Sequence, residues 1–232
     1  AIVLTVLARS GIAFSLVKER YYPYVVSLVA LLTIYSTTML GVGVVGSDIA
    51  AEAYCSREAL LFVWNISITA MEVTSFVVGW LVPSLARVLS IDVIWIYKSI
   101  LPIIFALCPT ILYLVYRRQI SSTKAFLASI FFVIMPVFSL EITTIGKSMV
   151  AETLLAFAIY ALVFDWRKPI KYLVIMLALA LTLWAHYTVG ILGLAIFFVI
   201  AMVLLVTNLM RQWKLLQYRS TSGLILLGIV LL

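Results

Sequence analysis

Asp48 and Glu52 stand four residues apart in Gly46-Ser47-Asp48-Ile49-Ala50-Ala51-Glu52-Ala53-Tyr54, a spacing that puts both carboxylates on one face of a helix. Two acids so placed could hold a divalent cation, or one could act as a general base. A plainer account is also open: Ser47 and Asp48 cap a helix whose first turn holds Glu52. Spacing alone favours the cap. A second cluster runs Glu141-Ile142-Thr143-Thr144-Ile145-Gly146-Lys147-Ser148-Met149-Val150-Ala151-Glu152. Lys147, a compact cation with three donors, could bind a phosphate; it could equally form a structural ion pair with Glu152. Gly146-Lys147-Ser148 ends as a nucleotide P-loop does. The upstream glycine is missing and no strand precedes it, which excludes that motif.

Two further positions can carry chemistry. His186, the only histidine, lies beside Tyr187 in Leu183-Trp184-Ala185-His186-Tyr187-Thr188. It is readable as a ligand, as a hydrogen-bonded structural residue or as an interfacial anchor. Lys98, in Trp95-Ile96-Tyr97-Lys98, is expected either to snorkel or to reach an anionic lipid head group.

The elements that must position these side chains follow from composition. Of 232 residues, 66% are hydrophobic and 11% charged, with a mean hydropathy of +1.24, too little polar surface for a soluble domain of this size. Apolar runs occur at about 1–16, 24–45, 99–116, 125–140, 149–164, 170–185, 188–207 and 222–232. A bilayer crossing needs roughly 20 apolar residues, which predicts an all-α, polytopic transmembrane helical bundle of about seven or eight spans. The net charge of +7 does not indicate nucleic acid, because the bases fall in short clusters between apolar runs. Lys18, Arg20, Arg117, Arg118, Lys124, Arg167, Lys168, Lys171, Arg211, Lys214 and Arg219 all sort to one side if each run crosses once. The positive-inside rule makes that side cytoplasmic. The other side collects Asp48, Glu52, Glu58, Glu72, Asp92, Glu141 and Glu152, seven of the nine acids.

The segment 46–98 is expected to form one long external loop within a single transmembrane domain, 1–232. Its apolar stretches Ala59–Trp64 and Thr74–Ser90 are interrupted by Asn65, Glu72, Pro83 and Arg87, which suits amphipathic helices lying in the interface. A re-entrant hairpin or a pair of short spans is the alternative. Asn65-Ile66-Ser67 is a glycosylation sequon. Cys55 and Cys108 do not make a disulfide framework. Residues 1–16 lack the basic start and cleavage site of a signal peptide and read as a span or the remains of one. The sequence is expected to be part of a longer chain. Repeats and flexible linkers are not evident.

Gly46-Ser47-Asp48-Ile49 with Glu52 and Tyr54, Trp95-Ile96-Tyr97-Lys98 leading to Pro102, Lys147 to Glu152 with Leu154 and Leu155, and His186-Tyr187-Thr188 together resemble the GT-C superfamily of polyprenyl-phosphate-dependent membrane glycosyltransferases. They resemble more closely an uncharacterised archaeal multi-pass membrane family of that type. The resemblance spans residues 40–190. It implies an extracytoplasmic active site, a polyprenyl-phosphate sugar donor in the lipid bilayer, and a carboxylate in the first loop. Asp48 and Glu52 then become the catalytic pair or ligands of a divalent cation (Mg or Mn). Lys98, Lys147, Glu152, His186 and Tyr187 become contacts for donor or sugar. The first loop is more compact than that family's, and the large extracytoplasmic C-terminal domain of many GT-C enzymes is not among these residues. Two readings from other classes stand beside it. A lipid-linked-sugar flippase or transporter would need ionisable residues in mid-span, of which 99–116, 125–140 and 188–207 hold almost none. A non-catalytic membrane subunit would pack its helices on membrane-protein partners.

Overall fold

The computed structural model describes residues 17–62 and 75–212. The runs at 1–16 and 222–232, the Asn65 sequon and Glu72 lie outside the described residues. Among those described, the chain is helical and has no strand. After a 3-10 turn at Glu19–Tyr21, the helices are α1 (Tyr22–Thr38), α2 (Ser47–Phe62), α3 (Val77–Leu89) and α4 (Val93–Arg117), α5 (Ser122–Ile134), α6 (Gly146–Val163), α7 (Lys168–Ala185) and α8 (Tyr187–Gln212). Among the described residues, four stretches are long and apolar enough to cross a membrane: α4, α6, α7 and the Tyr187–Thr207 part of α8.

Helix α4 is the hub, packing on α1, α5 and α6. At 25 residues it is about 37 Å long, enough to traverse the hydrocarbon layer. Cross-links fix its direction relative to α6. Tyr97 touches Gly146 at one end, Thr153 Oγ1 donates to Ile104 O at 3.4 Å midway, and Arg118 lies 3.9 Å from Asp165 at the other end. The two helices are therefore parallel. Helix α1 runs antiparallel to α4: Tyr35 Oη donates to Ser99 O at 3.1 Å, and Thr110 Oγ1 donates to Pro23 O at 3.4 Å. The core between them holds Ile34, Ile96, Leu101, Phe105, Phe138 and Met149.

Helix α4 begins at Val93, earlier than hydropathy predicts, because Asp92 caps it: the Asp92 carboxylate accepts from Ile94 N–H. Its second turn, Ile96–Ile100, is a π-turn in which Leu101 N–H reaches Ile96 O. The next donor would be residue 102, a proline without N–H. The same device opens α3: Val82 N–H reaches Val77 O, and Pro83 cannot serve Val78 O. The Ser56 hydroxyl supplies that missing bond at 2.8 Å, tying α2 to α3. Val78, Val82 and Ala86 of α3 are buried while Trp80, Arg87 and Val88 are exposed, a two-faced helix.

Candidate functional site

Helix α2 is pinned at its start. Gly46 has φ +128°, and a Cβ there would come within 2.9 Å of Thr144 Cβ, so only glycine serves. From Gly46 O, which accepts Ala50 N–H at 3.2 Å, α2 turns Ile49, Glu52, Ala53, Cys55 and Ser56 inward and leaves Asp48 and Tyr54 exposed. The two acids one turn apart thus occupy opposite environments. Asp48 is exposed, taking a hydrogen bond from the Ser47 hydroxyl at 3.1 Å. Glu52 is 0% exposed.

Glu52 meets the beginning of α6. Its Oε2 accepts the Lys147 backbone N–H at 3.1 Å, and its Oε1 lies 3.8 Å from Lys147 Nζ. Ile145, at the N-cap of α6, makes no side-chain cap. Glu52 from another helix takes that place, putting negative charge where the helix N–H groups and dipole favour it. Gly146 allows the approach: a Cβ there would collide with the Tyr97 ring, 2.6 Å from its Cδ1 and closer still to its Cε1, and would lie 2.8 Å from Glu52 Oε2. The Tyr97 hydroxyl in turn is 2.9 Å from Ser56 Oγ, closing a buried polar group on α2, α4 and α6. The Lys147–Glu152 pair that sequence offered is replaced by Lys147–Glu52. Residues five apart on a helix point about 140° apart, and the backbone oxygen of half-buried Glu152 instead accepts the Cys108 thiol at 3.9 Å.

Lys98 follows Tyr97 and is 3% exposed, so it does not snorkel. Its ammonium donates to Gly41 O and lies 5.7 Å from the Trp95 ring centroid. It borders a cavity of about 130 Å³ shared with Thr38, Ile49, Tyr97 and Thr144. The Tyr97 side chain both lines this cavity and packs against Gly146 next to the Glu52–Lys147 pair.

His186 and Tyr187 form the junction of α7 and α8, their rings parallel with centroids 5.8 Å apart. His186 Nδ1 accepts Val189 N–H at 3.4 Å, the position of an N-cap bond. The junction is tied to the start of α3 by Ser75 Oγ, which donates to Ala185 O at 2.7 Å.

Among the described residues, no three His, Cys, Asp or Glu side chains gather as a metal site. Glu52 already faces an ammonium and a backbone N–H, surroundings ill suited to a second cation, and Asp48 is exposed on its own. Cys55 and Cys108 are both buried. Sequence reasoning missed Ser56, whose signal is its place one turn after Glu52. Comparison with protein-family models, with curated proteins and with solved structures finds no match.

Proposed function

We propose that this membrane protein transfers a sugar from a polyprenyl-phosphate donor to an acceptor on the extracytoplasmic face. One observation carries the reading: the stretch 46–52 and the stretch 144–147, distant in sequence, are packed together at one end of the bundle. They leave Asp48 exposed there. In the proposed mechanism Asp48, as carboxylate, takes the proton of the acceptor hydroxyl or amide while the acceptor attacks the sugar carbon and the phosphate departs. Lys147, held by Glu52, supplies positive charge toward the leaving group. In this reading the chain crosses seven or eight times, with the basic loops cytoplasmic and the Asp48 end outside.

The test is Asp48→Asn, purified and given a lipid-linked sugar and an acceptor. Loss of a general base costs about 10²- to 10⁴-fold, and undiminished turnover removes Asp48 from the role. A second reading has its own support. Helices α7 and α8 are the least buried of the long helices, which suits a subunit that covers them with a partner. Transfer by the isolated chain argues against that reading.

A further inference from the structure

The transfer mechanism uses Asp48 and Lys147 and leaves Glu152 without a task. Glu152 stands six residues after Gly146, the first residue of α6, and so about 9 Å into a membrane-spanning helix. An ionisable side chain at such depth is expensive and is ordinarily paired. Among the described residues Glu152 belongs to no ion pair, and the hydrogen bond from Cys108 goes to its backbone oxygen. Of the bases on α4 and α6 near that depth, Lys147 is engaged by Glu52 and Lys98 by Gly41 O.

Its neighbours on α6 fix where the side chain faces. Thr153, about 100° further round the helix, meets α4 by donating to Ile104 O. Leu155, about 60° the other way, meets α8, where a Cβ on Gly193 would lie 2.9 Å from Leu155 Cδ1. Glu152 therefore faces the cleft between α4 and α8. Helix α4 packs on α1, α5 and α6, and α8 on α6 and α7, and Glu152 remains half-buried between them.

Helix α8 forms one wall of that cleft. Gly190 and Phe197 turn toward α7. On the other flank of Gly193, Leu192, Ile196, Val199 and Val203 make an apolar stripe with the i, i+4, i+7, i+11 spacing by which one helix receives another. Leu192 is 59% exposed and the other three are half-buried. Such a stripe, with a carboxylate near its outer end, fits a transmembrane helix that is apolar except for one lysine or arginine about 9 Å from its outer end. Lipid chains would cover the stripe and leave the charge unmatched. Two nearer occupants fit less well. A second copy of the chain brings to that depth, among the described residues, only the engaged Lys98 and Lys147. The run 1–16 carries Arg9, but it joins the described chain at Val17, which packs with Tyr22, Tyr113 and Phe126 on α1, α4 and α5, whereas Glu152 faces α8.

We propose that the cleft between α4 and α8 receives a transmembrane helix of a partner subunit, whose lysine or arginine is the counter-ion of Glu152. The proposal gives the second reading above a partner of stated chemistry. It does not rest on sugar transfer, which is assayed separately.

The experiment uses the full chain in phosphatidylcholine vesicles, labelled with a donor dye at Val42→Cys. The probe is an acceptor-labelled leucine–alanine peptide of about 23 residues, with lysine, leucine or glutamate about 9 Å from its outer end. Energy transfer is expected to show the lysine peptide binding at least tenfold more tightly than the leucine peptide. Glu152→Gln, which keeps the shape and removes the charge, should abolish that preference. Glu152→Lys should transfer it to the glutamate peptide, a reversal that a merely structural glutamate would not produce. Should Glu152→Lys not fold, Leu192→Trp obstructs the stripe while keeping the carboxylate and is expected to weaken lysine-peptide binding. Equal binding of the lysine and leucine peptides by the wild type overturns the proposal, as does a preference that survives Glu152→Gln. Preference for lysine appearing only in an Arg9→Leu chain gives the cleft to residues 1–16 and overturns an outside partner. So does Glu152-dependent energy transfer between two labelled copies of the chain.

Discussion

Gly146 and Glu52 show how little room the site leaves. A Cβ on residue 146 would press on the Tyr97 ring and on Glu52 Oε2, neither of which can withdraw without disturbing α4 or α2. Gly146→Ala is therefore expected to destabilise by about 1–3 kcal/mol, the cost of overpacking, read as a lowered unfolding temperature in detergent. Glu52→Ala should cost more, about 3–5 kcal/mol, because it leaves the Lys147 charge without its buried partner. Adding Lys147→Met to Glu52→Ala should recover part of that loss, and a double-mutant cycle measures the coupling. Independent, additive effects would show that the 3.8 Å approach contributes nothing. Sequence singled out all three of Asp48, Glu52 and Lys147, because acids and bases are rare in so apolar a chain. It could not join Glu52 to Lys147 across 95 residues. Local spacing offered Glu152 instead, and only the packing of α2 on the start of α6 decides between them.

At the scale of elements, prolines do more than interrupt hydropathy. Pro83 and Pro102 each follow a π-turn and each withhold an N–H from it, and the freed carbonyls give other helices something to hold. Val78 O takes the Ser56 hydroxyl. Ser56→Ala should cost about 1–3 kcal/mol by leaving that buried carbonyl unsatisfied. In a Pro83→Ala background a backbone N–H becomes available to Val78 O, so the Ser56→Ala penalty should shrink. An unchanged penalty in the double variant would refute this account of the π-turn. The α7–α8 junction has a similar logic. His186→Ala removes the acceptor for Val189 N–H and is expected to cost about 1 kcal/mol, with His186→Asn restoring most of it. Apolar runs at 149–164, 170–185 and 188–207 anticipated α6, α7 and α8 closely, since uninterrupted hydropathy is what a span consists of. The start of α4 was hidden because Asp92 and Lys98 look like loop residues. One is a cap and the other is buried, and neither role is visible without neighbours.

For the whole molecule, the sorting of charge is the strongest claim that sequence made. The structure supplies a geometrical frame for it without a membrane. Because α4 and α6 are parallel, the Glu52–Lys147 pair and the Lys98 cavity lie at one end. The opposite end holds Arg117, Arg118 and Asp165, where Arg118 sits 4.2 Å from the Phe164 ring centroid and Lys171 Nζ donates to Phe164 O at 3.1 Å. If basic loops stay inside, a residue at the first end is reachable from outside the cell and one at the second is not. Val42, on the exposed segment between α1 and α2, and Gln119, in the turn between α4 and α5, are suited to the comparison because both are away from the buried polar group. Cys55 and Cys108 are buried and give little background. In intact cells a membrane-impermeant maleimide should modify Val42→Cys and spare Gln119→Cys until the membrane is permeabilised. The reverse pattern would put Asp48 in the cytoplasm, where an extracytoplasmic acceptor cannot reach it. It would remove the transfer reading while leaving the helix packing and the Lys98 cavity as they are. Equal labelling of both sites in intact cells would mean that charge does not set orientation in this chain.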